Sequence, residues 1–430
     1  MSPLVAIAIR RRLVLPLIAF LLLSSLDRVN ISFAALEMNP ELGLTASQYG
    51  FGAGILFAGF LLGQYPSVLL LQRVGMRRWL SGCAILWSLG AAGVAFARTP
   101  PEFYLLRVIV GLAESGLAPG IVLYLSQFAT DRQRARTFGL PMVAIPISVV
   151  IGSPLSAWLM TTGAPASLAP WRAMLIAEAL PALLLGIAAR FYFPDTPHDA
   201  GWLSQREIAA LQTVAASNLR TRVENDWRVL RAPLVWIAGV LWFCLLSGSY
   251  GLIFWLPQVS KSLSGLSTQA IGWVNALPWL GAAIGMGWNA AHSDRTGERI
   301  GHVALPAAFA AVAVLLAWQF NSGPAALCAL LVLGTGLGAA QGAFWALPTA
   351  LLTPRTLAVA AVAINLLGSA GGLVMPHLIG YTLDAGGGYG GVSLLIAGTL
   401  MLACVLALGI RLWPTGYGAL EPDQCRSPGS

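Results

Sequence analysis

Charge is scarce in this chain. Only 10% of its 430 residues are Asp, Glu, Lys or Arg, while 57% are hydrophobic and the mean hydropathy is +0.75; soluble globular proteins carry about a quarter charged residues. That scarcity excludes a water-soluble enzyme. Cysteine is equally thin: Cys83, Cys244, Cys328, Cys404 and Cys425 are scattered, mostly inside apolar segments, so there is neither a disulfide framework nor a CxxC metal pattern. No HExxH, GxSxG or metal-spaced histidine cluster falls in an apolar segment, which argues against a membrane-embedded enzyme and implies no cofactor. Apolar runs without strict alternation exclude a transmembrane β-barrel. The net charge of +8 does not point to nucleic acid, because the basic residues are dispersed between hydrophobic segments instead of forming a patch.

What the chain does have is apolar sequence in long runs. At about 20 residues per spanning helix, its hydrophobic stock supplies on the order of twelve transmembrane helices. Punctuation by charge, proline and glycine predicts spans at 13–36, 48–71, 79–97, 103–128, 136–161 and 172–193, then at 234–260, 269–291, 301–320, 325–352, 357–382 and 391–413. A polar stretch separates the two sets, and within it Leu203 to Ala216 reads as a surface helix. The expected organisation is a six-helix half at 1–194, a linker at 195–232, a second half at 233–413 and a tail at 414–430. Arg10, Arg11 and Arg12 before an apolar run imitate a secretory signal, but Asp27 and Arg28 interrupt that run and further spans follow, so a retained helix is expected.

With the amino terminus inside, 20 of the 25 basic residues fall on the cytoplasmic side, three outside (Arg98, Arg172, Lys261) and two within helices (Arg28, Arg107). That asymmetry predicts cytoplasmic termini and a cytoplasmic linker. The turn after the second span reads QRVGMRR, Gln72 to Arg78, and the turn after the eighth reads DRTGER, Asp294 to Arg299. The same loop in the same place of each half implies a parallel duplication about an axis along the membrane normal. Topology charges alone are the plain alternative for these loops.

Asp27, Arg28, Arg107, Glu114 and Glu178 fall inside predicted helices. Each costs about 2.5–3.5 kcal/mol at a helix centre on insertion scales, so each should face a partner or a watery cavity. Arg107 and Glu114 are seven residues apart, on one helix face and about 10 Å apart along the axis. Two acids and two arginines around one central cavity is the economical arrangement; an ion pair that merely ties helices one and four together is the neutral alternative. Glu178 reads more readily as a helix-packing acid. Apart from Arg411 at the end of the last span, the second half has no acid, lysine or arginine within these spans; its polar and aromatic candidates are Tyr250, Trp255, Gln258, Asn275, Gln341, Trp345 and Asn365, each also explicable as packing or interface belt. His377 reads as a satisfied polar residue.

The paired loops resemble the motif G-x-x-x-D-R-x-G-R-R of the major facilitator superfamily. Arg73, Gly75, Arg77 and Arg78 match in the first copy, and Asp294, Arg295 and Gly297 in the second, whereas Gln72 stands where the first copy has an acid and Val68 where it has its first glycine. The stretches LDRVNISFAA (Leu26 to Ala35), LLRVIVGLAESGLAPG (Leu105 to Gly120), PDTPHDAGWLS (Pro194 to Ser204), YGLIFWLPQ (Tyr250 to Gln258) and FWALPTALL (Phe344 to Leu352) are similar to the anion:cation symporter subgroup, which includes carriers of sugar acids, tartrate and phthalate-like acids. The resemblance implies an all-α fold of twelve helices in two pseudo-symmetric halves, acting as a monomer in a bacterial inner membrane. It also implies substrate contacts at Trp345 and Asn365 and gating by the two loops.

The expected activity is proton-coupled uptake of an organic carboxylate. A guanidinium offers a planar fork for a carboxylate, so Arg107 and Arg28 are the expected anion holders, with Tyr250, Gln341, Trp345 and Asn365 shaping the rest of the substrate site. Asp27 and Glu114 are the expected proton carriers, with Glu114 paired to Arg107 until protonation releases it. An exporter or antiporter of the same fold and a transporter-like metabolite receptor are the alternatives.

Overall fold

The computed structural model describes residues 3–128, 144–162, 164–165, 167–211, 227–320 and 323–411. Among them there is no strand. A short helix, Pro3–Ile9, and a π segment, Arg10–Val14, lead into α1, Leu15–Leu42. Next come α2 (46–74) and α3 (76–94), which share one helical trace broken at Gly75, whose φ of 80° lies in the left-handed region that glycine adopts freely. Then follow α4 (Pro100–Glu114 continued by Leu117–Leu125), α5 (Ala144–Thr162) and α6 (Pro170–Tyr192). The second half contains α7 (Pro233–Ser264), α8 (Thr268–Thr296), α9 (Gly301–Phe320), α10 (Gly323–Phe344 continued by Ala346–Leu351), α11 (Pro354–Asp384) and α12 (Gly388–Arg411).

Length and hydropathy alone identify nine membrane-crossing helices among the described residues. The Gly75 break divides one of these into two, and α1 and α8, whose polar residues dilute their hydropathy, complete twelve. Large side chains such as Leu62, Leu105, Ile151, Ile284 and Phe309 project outward from the bundle, where hydrocarbon takes the place of a protein neighbour. The protein is a multi-pass membrane protein.

Several helices outrun their predicted spans because hydrophobicity ends before the backbone hydrogen bonding does. The first span was predicted to stop at Leu36, yet α1 continues to Leu42 and ends on Gly43 in the left-handed conformation. Its last turn is held by Glu41, which accepts from Trp171 Nε1 (2.6 Å) and pairs with Arg172 Nη2 (2.8 Å) on α6. Lys261, Asp294, Arg295 and Asp384, assigned to loops by the sequence, likewise sit on the terminal turns of helices. In the linker, residues 205–211 are helical and start from a reciprocal cap between Ser204 and Glu207. The rest of that expected surface helix, to Ala216, lies outside the described residues, as do the first residues of the predicted fifth span and the tail from 412.

The helices approach closely where side chains are absent. In the first half Gly111 of α4 lies against the Leu56 carbonyl of α2; in the second, Gly334 and Gly338 of α10 lie against Pro278 and Ala282 of α8. The two halves thus repeat one crossing, α4 on α2 and α10 on α8, in keeping with small-residue packing in membranes. A Cβ at Gly334 would overlap the Pro278 carbonyl, whereas nothing lies near Gly287 on the same helix pair. Gly334→Val is expected to cost at least about 1–3 kcal/mol and to lower the thermal unfolding midpoint in detergent, with Gly287→Ala neutral; equal midpoints for the two variants would remove this crossing as a determinant of stability.

The halves meet from mid-membrane to the end of the bundle that carries Gly43. There Gly50 and Gly54 of α2 abut the backbone of α11 at Pro376 and Leu373, Gly380 of α11 abuts Ala46, and Gly272 of α8 abuts Ser153 and Ala157 of α5. Hydrogen bonds lock these crossings: Tyr49 Oη donates to the Phe254 carbonyl (2.8 Å), Trp255 Nε1 to the Pro376 carbonyl (3.1 Å), and Asn39 Nδ2 to Gln258 Oε1 (3.2 Å). The Asp384 carboxylate accepts from the backbone N–H groups of Ala46 and Ser47, the free donors at the start of α2. The opposite end carries the two basic loops.

Candidate functional site

Arg28, Asp27 and Asn30 lie near the middle of α1, Arg107 and Glu114 on α4, and Glu178 on α6. Twelve residues at about 1.5 Å each place Asp27 about 18 Å from the start of α1, and fourteen place Glu114 about 21 Å from the start of α4, which runs the opposite way. The sequence thus brings both to mid-membrane. Asp27, Arg107, Glu114 and Glu178 are each at most 3% exposed.

The pairing differs from the sequence expectation. Glu114 Oε2 is bound by Arg28 Nη2 at 2.7 Å, not by Arg107. Arg28 is further steadied by its Nη1 donating to the Ser24 carbonyl one turn back (3.2 Å). Arg107 instead donates to two backbone carbonyls, Asp27 (3.4 Å) and Ala53 (3.3 Å), and so joins α4 to α1 and α2. The geometric reason is helix crossing: from α4, the Arg107 side chain reaches the backbones of two neighbours before it can turn along its own helix toward Glu114. Its charge still acts on both Asp27 and Glu114.

Of the two arginines, Arg28 is the one that reaches open space. Its side chain is 12% exposed, its guanidinium lies 6.0 Å from the Phe57 ring centre, and Tyr250 of the second half is close enough for its hydroxyl to interact electrostatically with both Arg28 and Glu114. Tyr250 stands against Phe57 at 4.4 Å between ring centres. Several buried polar atoms here lack a partner among the described residues: Asp27 Oδ2, Arg28 Nε, Arg107 Nε and Glu114 Oε1. Unused donors and acceptors gathered at one place are open to water or a polar ligand.

The second-half candidates separate into two groups. Gln341, partly exposed, donates to Ser249 Oγ (2.6 Å) and the Leu245 carbonyl (3.2 Å). Trp345 stands at the break in α10, edge-on to Trp242 (5.6 Å), and Asn365 is half-buried on α11. Trp255 and Gln258 belong instead to the seal between the halves, and Asn275 is buried with an unpartnered Oδ1. His377 faces the Ser47 carbonyl (3.2 Å) and the Phe51 ring in that same seal.

At the opposite end, Arg73 and Arg78 are exposed, and Arg77 is held by Asp195: its backbone N–H donates to Oδ1 (2.9 Å) and its Nε lies 3.7 Å from Oδ2. Gly75 packs directly on this carboxylate. Gln72 had removed the acid expected in the loop; Asp195, just beyond α6, brings a carboxylate to the same turn from 118 residues away. In the second loop the acid is local, Asp294 pairing with Arg299 at 2.6 Å, while Gly297 ends α8 with a φ of 72° and Arg295 is exposed.

Sequence reasoning missed Asn30, Ser156 and Asp195. Asn30 was legible, three residues after Asp27 and so on its helix face; Ser156 and Asp195 gain meaning only through contacts between helices.

The Major Facilitator Superfamily description matches residues 17–376. The chain is 36% identical over 424 residues to an Agrobacterium vitis protein named for tartrate transport, covering 97% of this chain and 98% of that one. It is 31% identical over 420 residues to an Acinetobacter baumannii protein named as a quinolone resistance transporter, covering 97% and 95%. A bacterial homologue of the human lysosomal transporter Spinster has the same fold, with a TM-score of 0.78 at 18% identity over 94% of this chain and 96% of that one. The match over residues 17–376 and the end-to-end similarity to these relatives, on twelve helices in two repeated halves with buried charges in the first, show that the chain belongs to the major facilitator superfamily and is a membrane transporter.

Proposed function

We propose that the protein imports an organic carboxylate together with protons by alternating access, the substrate carboxylate taking the place of Glu114 on Arg28. The observation that carries this reading is the buried Arg28–Glu114 pair at 2.7 Å, facing Tyr250 across the interface between halves. With the basic loops on the cytoplasmic side, as the charge asymmetry favours, both termini are cytoplasmic, the sealed end is external, and the structure is inward-facing.

Coupling follows from counting charge. Empty, the Arg28–Glu114 pair is neutral. With Glu114 protonated and a carboxylate on Arg28 it is neutral again. With the anion alone, or the proton alone, one charge is left unpaired in a water-poor site, which costs several kcal/mol. Empty and fully loaded carriers therefore cross between states readily, whereas half-loaded ones do not. Protonation and anion binding favour each other, by linkage. Asp27 is the second proton carrier; Arg107 holds α1 and α2 in place and contributes positive potential. Tyr250, Gln341, Trp345 and Asn365 form the side that meets the neutral part of the substrate, where hydroxyl groups find donors and acceptors. Arg73, Gly75, Arg77 and Arg78 in the first loop, with Asp195, and Asp294, Arg295 and Gly297 in the second gate the cytoplasmic end, and the carrier acts as a monomer.

The test is uptake of sugar acids, hydroxy-dicarboxylates such as tartrate, and aromatic acids into right-side-out vesicles, with and without a protonophore. Accumulation of one class, abolished by the protonophore, is expected. Export is a second reading, favoured by the relative named for quinolone resistance. Substrate movement opposite to the proton gradient would select it.

A further inference from the structure

Glu178 is a buried acid that the cycle above does not use. It lies on α6, 3% exposed, nine residues into a helix that packs on α1, α3 and α5. Its Oε1 accepts from the Ser156 hydroxyl of α5 at 2.7 Å, and its Oε2 is buried without a partner. From α1, Asn30 faces it and also donates Nδ2 to Asp27 Oδ1 at 3.3 Å, so one amide stands between two carboxyl groups. On α3 the only charged residues, Arg77 and Arg78, lie in its first turn, Arg77 held by Asp195, and its Cys83 thiol is directed at Ser67 of α2. No lysine or arginine lies within salt-bridge distance of Glu178 among the described residues, although its charge acts on Asp27.

An ionised carboxylate in that setting keeps one hydroxyl donor, a shared amide and no counter-ion, at a cost of several kcal/mol. As the acid it is neutral, needs no counter-ion and keeps its bond from Ser156. A packing residue has no need of an ionisable group here, since glutamine makes the same bond to Ser156.

We infer that Glu178 is an additional proton-holding site, joined through Asn30 to Asp27 and set apart from the substrate-binding Arg28–Glu114 pair. It stores the second proton, which Asp27 draws on during the cycle, so that without Glu178 the carrier moves one proton fewer per substrate. The inference rests on the proposed proton-coupled transport, but the proton on Glu178 can be observed without any substrate.

Two measurements on the full-length protein test it. Infrared spectroscopy of the substrate-free protein is expected to show a carboxylic-acid C=O band that vanishes at alkaline pH and is missing from Glu178→Gln; a spectrum unaltered by the substitution would overturn the inference. In vesicles under a one-unit pH gradient, each proton moved per substrate contributes about a factor of ten to the accumulation ratio. Glu178→Gln is therefore expected to lower that ratio about tenfold, while Ser156→Ala, which removes the tie to α5 and keeps the acid, leaves it near wild type. An unchanged ratio in Glu178→Gln, or an equal fall in Ser156→Ala, would assign Glu178 to packing. If the wild-type protein accumulates no carboxylate at all, the proposed function fails, and the infrared band decides Glu178 by itself.

Discussion

Vesicles carrying Arg28→Ala are expected to take up carboxylate at about one-thirtieth of the wild-type rate or less, because the loss of a buried charge-assisted contact costs about 2–5 kcal/mol and each 1.4 kcal/mol is tenfold. The substitution also strands Glu114, 1% exposed, without its ion partner, a further penalty of about 3–5 kcal/mol that threatens folding. The informative protein is therefore the double variant Arg28→Ala with Glu114→Gln, which leaves no unpaired charge at this position. It is expected to unfold near the wild-type temperature in detergent and still to bind no carboxylate. Arg28→Lys keeps the charge without the planar fork and should fall between. Wild-type uptake by Arg28→Ala would return the anion-holding role to Arg107, whose guanidinium the structure shows occupied by the Asp27 and Ala53 carbonyls.

Glu114→Gln should abolish proton-driven accumulation while leaving counterflow exchange measurable. Glutamine can still accept from Arg28 through its amide oxygen, so the change is one of charge. The empty variant carries an unpaired Arg28 cation and the loaded one is neutral, so the loaded carrier crosses between states and the empty one does not. Several kcal/mol on the empty return step suppress net uptake about 100- to 1,000-fold. Exchange of external for internal substrate needs no empty step and survives, now insensitive to protonophore. Measuring both fluxes on one vesicle preparation checks the argument; accumulation at the wild-type level would show that Glu114 is not the coupling acid and move attention to Asp27.

Much of the architecture was legible along the chain. Helix positions came within a few residues, since a spanning helix is a local run of apolar sequence, and the paired loops at Gln72 to Arg78 and Asp294 to Arg299 disclosed the duplication. Where helices outran their spans the cause was polarity: residues such as Glu41 and Asp384 look like loop when read alone, yet sit on helical turns because Trp171, Arg172 and the start of α2 satisfy them. Burial of Asp27, Arg107, Glu114 and Glu178 was likewise foreseeable, because an ionisable group inside an apolar run has few other places to go.

Partnership among those groups was not foreseeable. Spacing places Arg107 and Glu114 on one helix face, yet the partner of Glu114 comes from 86 residues away on α1, and the acid that serves the Gln72 loop comes from Asp195 beyond α6. Hydrophobicity, helix length and loop charge are properties of short segments, so the chain alone determined that this protein crosses the membrane twelve times and buries Asp27, Arg107, Glu114 and Glu178 in its first half. Which arginine pairs with Glu114, which acid stands beside Asn30, and at which end of the bundle the halves meet depend on rotations and crossings of whole helices. Those are decided where Gly111, Gly334 and Gly50 let backbones meet, and only the packed structure holds that information.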